Sequence, residues 1–373
     1  MDLQAYLRPS AAHAWSKCRG YAKLCAAIKA VLSDEADNEV REDGVACHWL
    51  AKEVWDGHSH NAGALSPNGR ELTDEMFRSV AEYHALIRSW GAREPILEEK
   101  IAVSYVFPGV ADGTPDVFAW NDAMTELFLA DLKYGFRAVE VWRNPQLIIY
   151  AWTLVCLATK HGHAPQRVNL FIYQPRCAHR EGYIRKWIVD IPTLGRLAEE
   201  LGAAALECYS PNPMCTVNAA CRDCEGNGHC ETLKASAGWG AEVSYGATPL
   251  ELTPNQIGYE LAVMLQAQQR MEARINGLST QAESLLKKGT RIPGFEMGRA
   301  GTRWRWRAGV DHLLPALGRM FGVDVRAPEK FKSVAQLRDK LPAEVVSMYA
   351  EKPLGELKLT MIDPNEATRK FEK

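Results

Sequence analysis

The chain predicts an α/β fold, a mixed sheet flanked by helices, followed by a mainly helical C-terminal extension. Three observations carry this. Two short apolar runs, Val117 to Trp120 and Leu127 to Leu132, have strand length and are split by the turn pair Asn121-Asp122, which reads as an antiparallel hairpin. Further runs rich in β-branched and aromatic residues, R-V-N-L-F-I-Y and Y-I-R-K-W-I-V-D, alternate with capped helical stretches. From Ile257 to Leu285, apolar residues recur at alternating steps of about four and three, the seam of a long helix.

In chain order, Ser10 reads as the N-cap of a helix through Trp15 and Lys17 that ends near Gly20. The segment E-D-G-V-A-C-H-W-L-A-K-E-V-W reads as a second helix, with Val45, Trp49 and Val54 among its buried positions and Gly44 one turn before His48. Glycine weakens a helix, so Gly44 answers a need for close backbone approach. Thr73 caps a third helix reaching Trp90, with Met76, Val80, Tyr83 and Ile87 on one face. I-L-E-E-K-I-A-V-S-Y-V-F reads as a strand, in which Glu98 and Glu99 point to opposite faces. Asn144 and Pro145 fit the N-cap and first position of a helix that carries Gln146 and Tyr150 on one face. Ile191-Pro192-Thr193 opens another helix, and Thr253-Pro254 opens the long C-terminal one. The domain boundaries read as 1–235, a linker over 236–252, and a helical, locally basic region over 253–373. The long helix needs something to pack on, a helical hairpin within the chain or, alternatively, a second copy or a partner.

The hairpin brings chemistry together. Asp116 opens one strand and Asp131 closes the other, so both carboxylates arrive at one end of the sheet, where a cation or proton must offset them. Asp131 and Lys133 are two residues apart and share a face of the strand. Carboxylates suit a hard cation such as Mg²⁺ or Mn²⁺, and an ammonium beside it steadies a hydroxide or a phosphate oxygen.

The ordered set G-T-P-D, D-L-K and Q-L-I-I-Y resembles the active-site signature of the PD-(D/E)XK nucleases, in their RecB-like branch. That resemblance implies a restriction-endonuclease-like core and a Mg²⁺- or Mn²⁺-dependent deoxyribonuclease. Asp116, Asp131, Lys133, Gln146 and Tyr150 would be catalytic. His48, Asp116, Asp131 and the Leu132 carbonyl would be metal ligands, with His48 matching the branch's G-x-x-x-H helix. Glu98 matches the upstream acid of the family better than Glu99 does. The resemblance also implies an exonuclease acting on DNA ends in phage recombination or repair, in the cytoplasm of a bacterial host. A single-strand annealing or binding protein is the partner it implies. A non-catalytic DNA-binding recombination scaffold of the same fold is the alternative.

Ten cysteines in a chain lacking a signal peptide's charged start and apolar core read as metal or cluster ligands rather than disulfides. Cys215-x5-Cys221-x2-Cys224-x5-Cys230 lies in a loop rich in Pro, Gly and Asn that buries little apolar surface. Four local thiolates could enclose a structural zinc. Alternatively Cys221, Cys224 and Cys230, with Cys18 as the fourth ligand, could hold a [4Fe-4S] cluster. The C-x2-C-x5-C with a distant N-terminal Cys is similar to the cluster motif of AddB-type helicase-nuclease subunits and of CRISPR-adaptation Cas nucleases. Cys215 departs from that pattern and keeps zinc open. Cys25, Cys47, Cys156, Cys177 and Cys208 show no ligand spacing and read as buried fillers.

The net charge of −2 gives no global basic field, so any DNA-binding surface is local. Between Lys287 and Arg307 seven basic residues face one acid. An extended R-W-R-W-R would put Arg303, Arg305 and Arg307 on one face, to grip phosphates, and Trp304 and Trp306 on the other. Alternatively the tryptophans stack on bases. No apolar run approaches the roughly 18 residues of a membrane span. The tail, including K-S-V-A-Q-L-R-D-K-L and P-G-F-E-M-G-R-A-G-T-R-W, resembles that of an uncharacterised phage and prophage branch of RecB-like nucleases.

Overall fold

A computed structural model describes residues 2–31, 39–243 and 252–297. The helices are α1 (Ala12–Trp15), α2 (Tyr21–Val31), α3 (Glu39–Trp55), α4 (Asp74–Ser89), α5 (Pro145–Lys160), α6 (Ile191–Glu207), α7 (Glu231–Val243) and α8 (Pro254–Lys287). The strands are β1 (Arg93–Leu97), β2 (Val117–Trp120), β3 (Glu126–Leu132), β4 (Arg167–Tyr173) and β5 (Ile184–Asp190).

The strands form one mixed sheet in the order β1-β2-β3-β4-β5. β3 and β4 run parallel, with α5 in the connection between them, and the other neighbours are antiparallel. The Asn121 carboxamide closes the β2–β3 hairpin, its Oδ1 accepting from the Thr125 and Glu126 amides. β3 alternates between two cores, as a strand covered on both faces must. Leu127 and Leu129 pack with α1, α2, α5 and α6, whereas Ala130 and Leu132 pack with α3 and α4. The helix starts at Thr73, Asn144, Asp190 and Thr253 carry side-chain caps, and Pro stands in the first turn of α5, α6 and α8.

Several expectations need correction. Ser10 caps nothing, because Pro9–Ala11 form a 3₁₀ turn ahead of the four-residue α1. The strand expected over residues 96–107 is short and shifted, at Arg93–Leu97. Positive φ at Glu94 (33°) and Glu98 (52°) bends it, and its edge position tolerates Pro95, which offers no amide hydrogen to a ladder. In α3 the buried residues are Ala46, Cys47, Leu50 and Ala51, while Val45 is 48% exposed. The α8 seam is likewise not its buried face. Ile257, Leu261, Ile275, Leu278 and Leu285 are exposed, and Ala267, Ala273 and Gly277 are buried. Small residues let α8 approach the cysteine loop closely, with Arg274 donating to the Asn227 and Gly228 carbonyls.

α7 continues through residues 236–243, across the start of the expected linker, and one compact unit takes in Met1–Phe295. The sheet and α8 therefore belong together. Arg303, Trp304, Arg305 and Arg307 lie outside the described residues, as does the tail beyond them.

Candidate active site

The site forms at one end of the sheet, where three neighbouring strands each deliver an acid. Leu97 pairs with Val117 and Val117 with Ala130, so the next positions, Glu98, Asp116 and Asp131, line up side by side. The Glu98 amide donates to the Asp116 carbonyl at 3.1 Å, extending the ladder to these residues. α3 supplies His48 from one face and α5 supplies Gln146 from the other.

The contacts divide into two linked sets. His48 Nδ1 lies 3.1 Å from Glu98 Oε1 and 3.5 Å from Asp116 Oδ1. Asp116 Oδ2 accepts the Leu132 amide at 2.6 Å. His48, Glu98 and Asp116 each offer a donor atom within 4.8 Å of the others, a spacing suited to one metal ion. Beside them, Lys133 Nζ donates to Asp131 Oδ1 at 2.8 Å and to Gln146 Oε1 at 3.3 Å, and Gln146 Nε2 donates to Asp131 Oδ1 at 2.9 Å. Asp131 Oδ2 is buried and has no hydrogen-bond partner. A buried carboxylate oxygen left bare beside two more carboxylates is electrostatically costly, and a cation or a proton there would offset it.

The titration of the site follows from this crowding. Burial lowers the His48 pKa, but the Asp116 and Glu98 carboxylates outweigh it and raise it to about 9. Burial pushes Asp131 up to about 6 against the pull of Lys133, with Asp116 adding to the rise. Asp116 is raised by burial and by Glu98, against His48. For Lys133, burial favours the neutral amine, yet Asp131 and Asp116 prevail and the ammonium is stabilised.

The residues expected from the sequence thus fall into distinct places. Asp116, Asp131, Lys133, Gln146 and His48 converge. Glu98 joins them more intimately than its sequence signal indicated, completing the triad, while Asp131 is held by Lys133 and Gln146. Leu132 lines the cleft above the acids. Tyr150 is only 5% exposed and stands against the turn at Gly113, close enough that a Cβ there would meet its Oη at 2.6 Å. Its place is beneath the site, bracing the chain that leads into Asp116.

Behind Lys133, residues 135–139 are tied down by a buried polar knot. Gln174 Nε2 donates to the Gly135 and Arg137 carbonyls. Arg185, 1% exposed, donates to Val139 O, Gly182 O and Gln174 Oε1. Nothing in the periodicity of the sequence marks either residue.

The cysteines make a second constellation. Cys18, Cys221, Cys224 and Cys230 line one small cavity of about 20 Å³, with Tyr21, Leu24 and Leu233. Cys215 sits beside both Cys18 and Cys230, and Cys25 beside Cys224. Gly20 makes room for the fifth thiol, since a Cβ there would meet Cys215 Sγ at 2.5 Å. Among the described residues no three thiols lie within 4.8 Å of one another.

An α/β sheet with an acid-histidine-lysine centre at one end of its strands, together with a cysteine-rich loop, is the class of protein these features define. The chain belongs to the family described as "Protein of unknown function (DUF2800)", whose model matches residues 4–366. No helix among the described residues is long and apolar enough to cross a membrane.

Proposed function

We propose that this protein is a divalent-metal-dependent DNA nuclease acting on DNA ends. The observation that carries the reading is the alignment of Glu98, Asp116 and Asp131 on three adjacent strands, with His48 and Lys133 beside them. His48, Glu98 and Asp116 would hold the cation, with Asp131 alongside, and a bound Mg²⁺ or Mn²⁺ would supply an activated water and neutralise phosphate charge. Asp131 and Asp116 favour the Lys133 ammonium, which would serve as a cation toward the phosphate and as a donor to the attacking water. Gln146 fixes both Asp131 and Lys133, and the Asn144 cap that starts α5 fixes Gln146. Tyr150 holds the Gly113 turn and through it Asp116.

The thiol set supports a thiolate-ligated metal centre joining the N-terminal segment to the loop after α6. A [4Fe-4S] cluster on Cys18, Cys221, Cys224 and Cys230 is the reading we favour, given four thiols around one cavity. Action in phage recombination or repair, with a single-strand annealing or binding protein as partner, belongs to the same proposal.

The test is hydrolysis of end-labelled single- and double-stranded DNA in Mg²⁺ or Mn²⁺. The unmutated chain cleaves and EDTA stops it. Asp131→Asn and Lys133→Met remain folded and lose at least about a hundredfold in rate, the scale of one lost electrostatic contact in a transition state. Binding without metal-dependent cleavage by the unmutated chain would overturn the reading in favour of a scaffold.

A further inference from the structure

Three features of α3 have no account in the metal site. Val45 is a large apolar residue left 48% exposed on a helix whose neighbours Ala46 and Cys47 are fully buried. Gly44 stands mid-helix, where it weakens the helix relative to alanine, yet nothing lies within 4 Å of the position its Cβ would take. Among the described residues no group fills the space it leaves. Trp49, the residue after His48, is half-buried, packing in part against the core beneath α3 and bordering the same side with the rest of its ring, beside the His60 ring at 4.8 Å.

All three border a cleft of about 560 Å³ between α3 and the end of β3, lined also by His48, Lys52, Glu98 and residues 132–134. The volume suits one small ligand. His48 and Glu98 stand in its wall, so whatever occupies the cleft abuts the metal triad. Lys52 lies in the same wall, its present partner being Asp56 at 2.6 Å, an i,i+4 pair with both side chains 36% exposed. Such a solvated pair exchanges partners at small cost.

Resting on the nuclease reading, we propose that this cleft is a subsite for one unpaired nucleotide next to the scissile phosphate. Its base lies against Trp49 and Val45, its phosphates are met by Lys52 and Lys133, and its backbone passes over Gly44. A base stacked within duplex presents no free face to an aromatic ring, whereas an unpaired one does. The subsite therefore selects single strands or frayed ends.

The experiment uses the full chain carrying Asp131→Asn, in Ca²⁺, with a short fluorescein-labelled oligothymidylate or a blunt duplex of equal length as probe. Fluorescence anisotropy gives affinity, and circular dichroism gives Tm. The single strand binds at least about tenfold tighter than the duplex. Trp49→Ala weakens single-strand binding by roughly 5- to 100-fold, the range for loss of one base–aromatic stack, and Trp49→Phe recovers most of it. Gly44→Leu fills the floor and keeps or raises Tm, yet loses single-strand binding. A folded Gly44→Leu chain that binds as before, an unchanged affinity in Trp49→Ala, or a preference for duplex would each overturn the subsite. Cleavage by the unmutated chain with these variants behaving as their parent would sink the subsite alone. Binding that depends on Trp49 and Gly44 in a chain that never cleaves would sink the nuclease reading alone.

Discussion

Cation binding at the triad must displace a proton, and the structure sets the size of the effect. With the His48 pKa at about 9, the imidazole is almost wholly protonated at pH 7, two units below. A metal takes only the neutral ring, so one proton leaves for each ion bound. Affinity for Mn²⁺ then rises about tenfold from pH 7 to 8 and about fivefold more to pH 9, about fiftyfold in all, or about 2.3 kcal/mol. Asp131, at about 6, is about nine-tenths ionised at pH 7 and adds little to the slope. Calorimetric titration with Mn²⁺ in two buffers of different protonation enthalpy counts the protons released. The expected count at pH 7 is close to one for the unmutated chain and close to zero for His48→Gln, whose affinity is flat with pH. The same slope in both chains would refute the argument, because the proton would then come from elsewhere.

Stability of the metal-free chain follows the same linkage. His48 and Asp131 both have folded pKa values raised above their usual ones of 6.5 and 3.8. Their contribution is present below the ordinary value and is lost as pH rises through about 6 for Asp131 and about 9 for His48, by about 3 kcal/mol each. Thermal melts should show Tm falling between pH 5 and 9, with Mn²⁺ restoring more at the alkaline end. Gly113→Ala drives a Cβ into Tyr150 and Pro9 and should cost about 1–3 kcal/mol in urea unfolding, Tyr150→Ala relieving part of it. Arg185→Met removes three charge-assisted hydrogen bonds from the knot behind Lys133 and should cost about 3 kcal/mol, a loss an unchanged Tm would contradict. Protein purified without air should carry iron and sulfide in equal amounts. Cys221→Ser and Cys224→Ser should lose both, whereas Cys215→Ser, outside the cavity wall, should keep them; a colourless, zinc-loaded chain would contradict the cluster.

What the sequence disclosed was local chemistry. Asn121 closing a hairpin, Asn144-Pro145 starting a helix and the two-residue step from Asp131 to Lys133 each depend on neighbours a few positions away, and all stand in the structure as read. Glu98 was harder to separate from Glu99 because its orientation depends on a positive φ that breaks the strand's alternation. Val45 and Trp49 read as core by periodicity. The helix instead fully buries smaller residues, leaves Val45 exposed on the cleft and keeps Trp49 partly packed on the core, a choice set by what packs behind it. Arg185 and Gln174 bond across distant segments and leave no periodic trace. Cys25 reaches Cys224 only through the packing of α2, although its spacing matches no ligand pattern.

The most direct measurement of the central claim is the position of Mn²⁺ by anomalous X-ray scattering from crystals soaked in the ion. The account places the peak among His48 Nδ1, a Glu98 oxygen and Asp116 Oδ1, within the reach of the Asp131 carboxylate. A well-ordered ion bound only elsewhere, with those three side chains still hydrogen-bonded to one another, would contradict it.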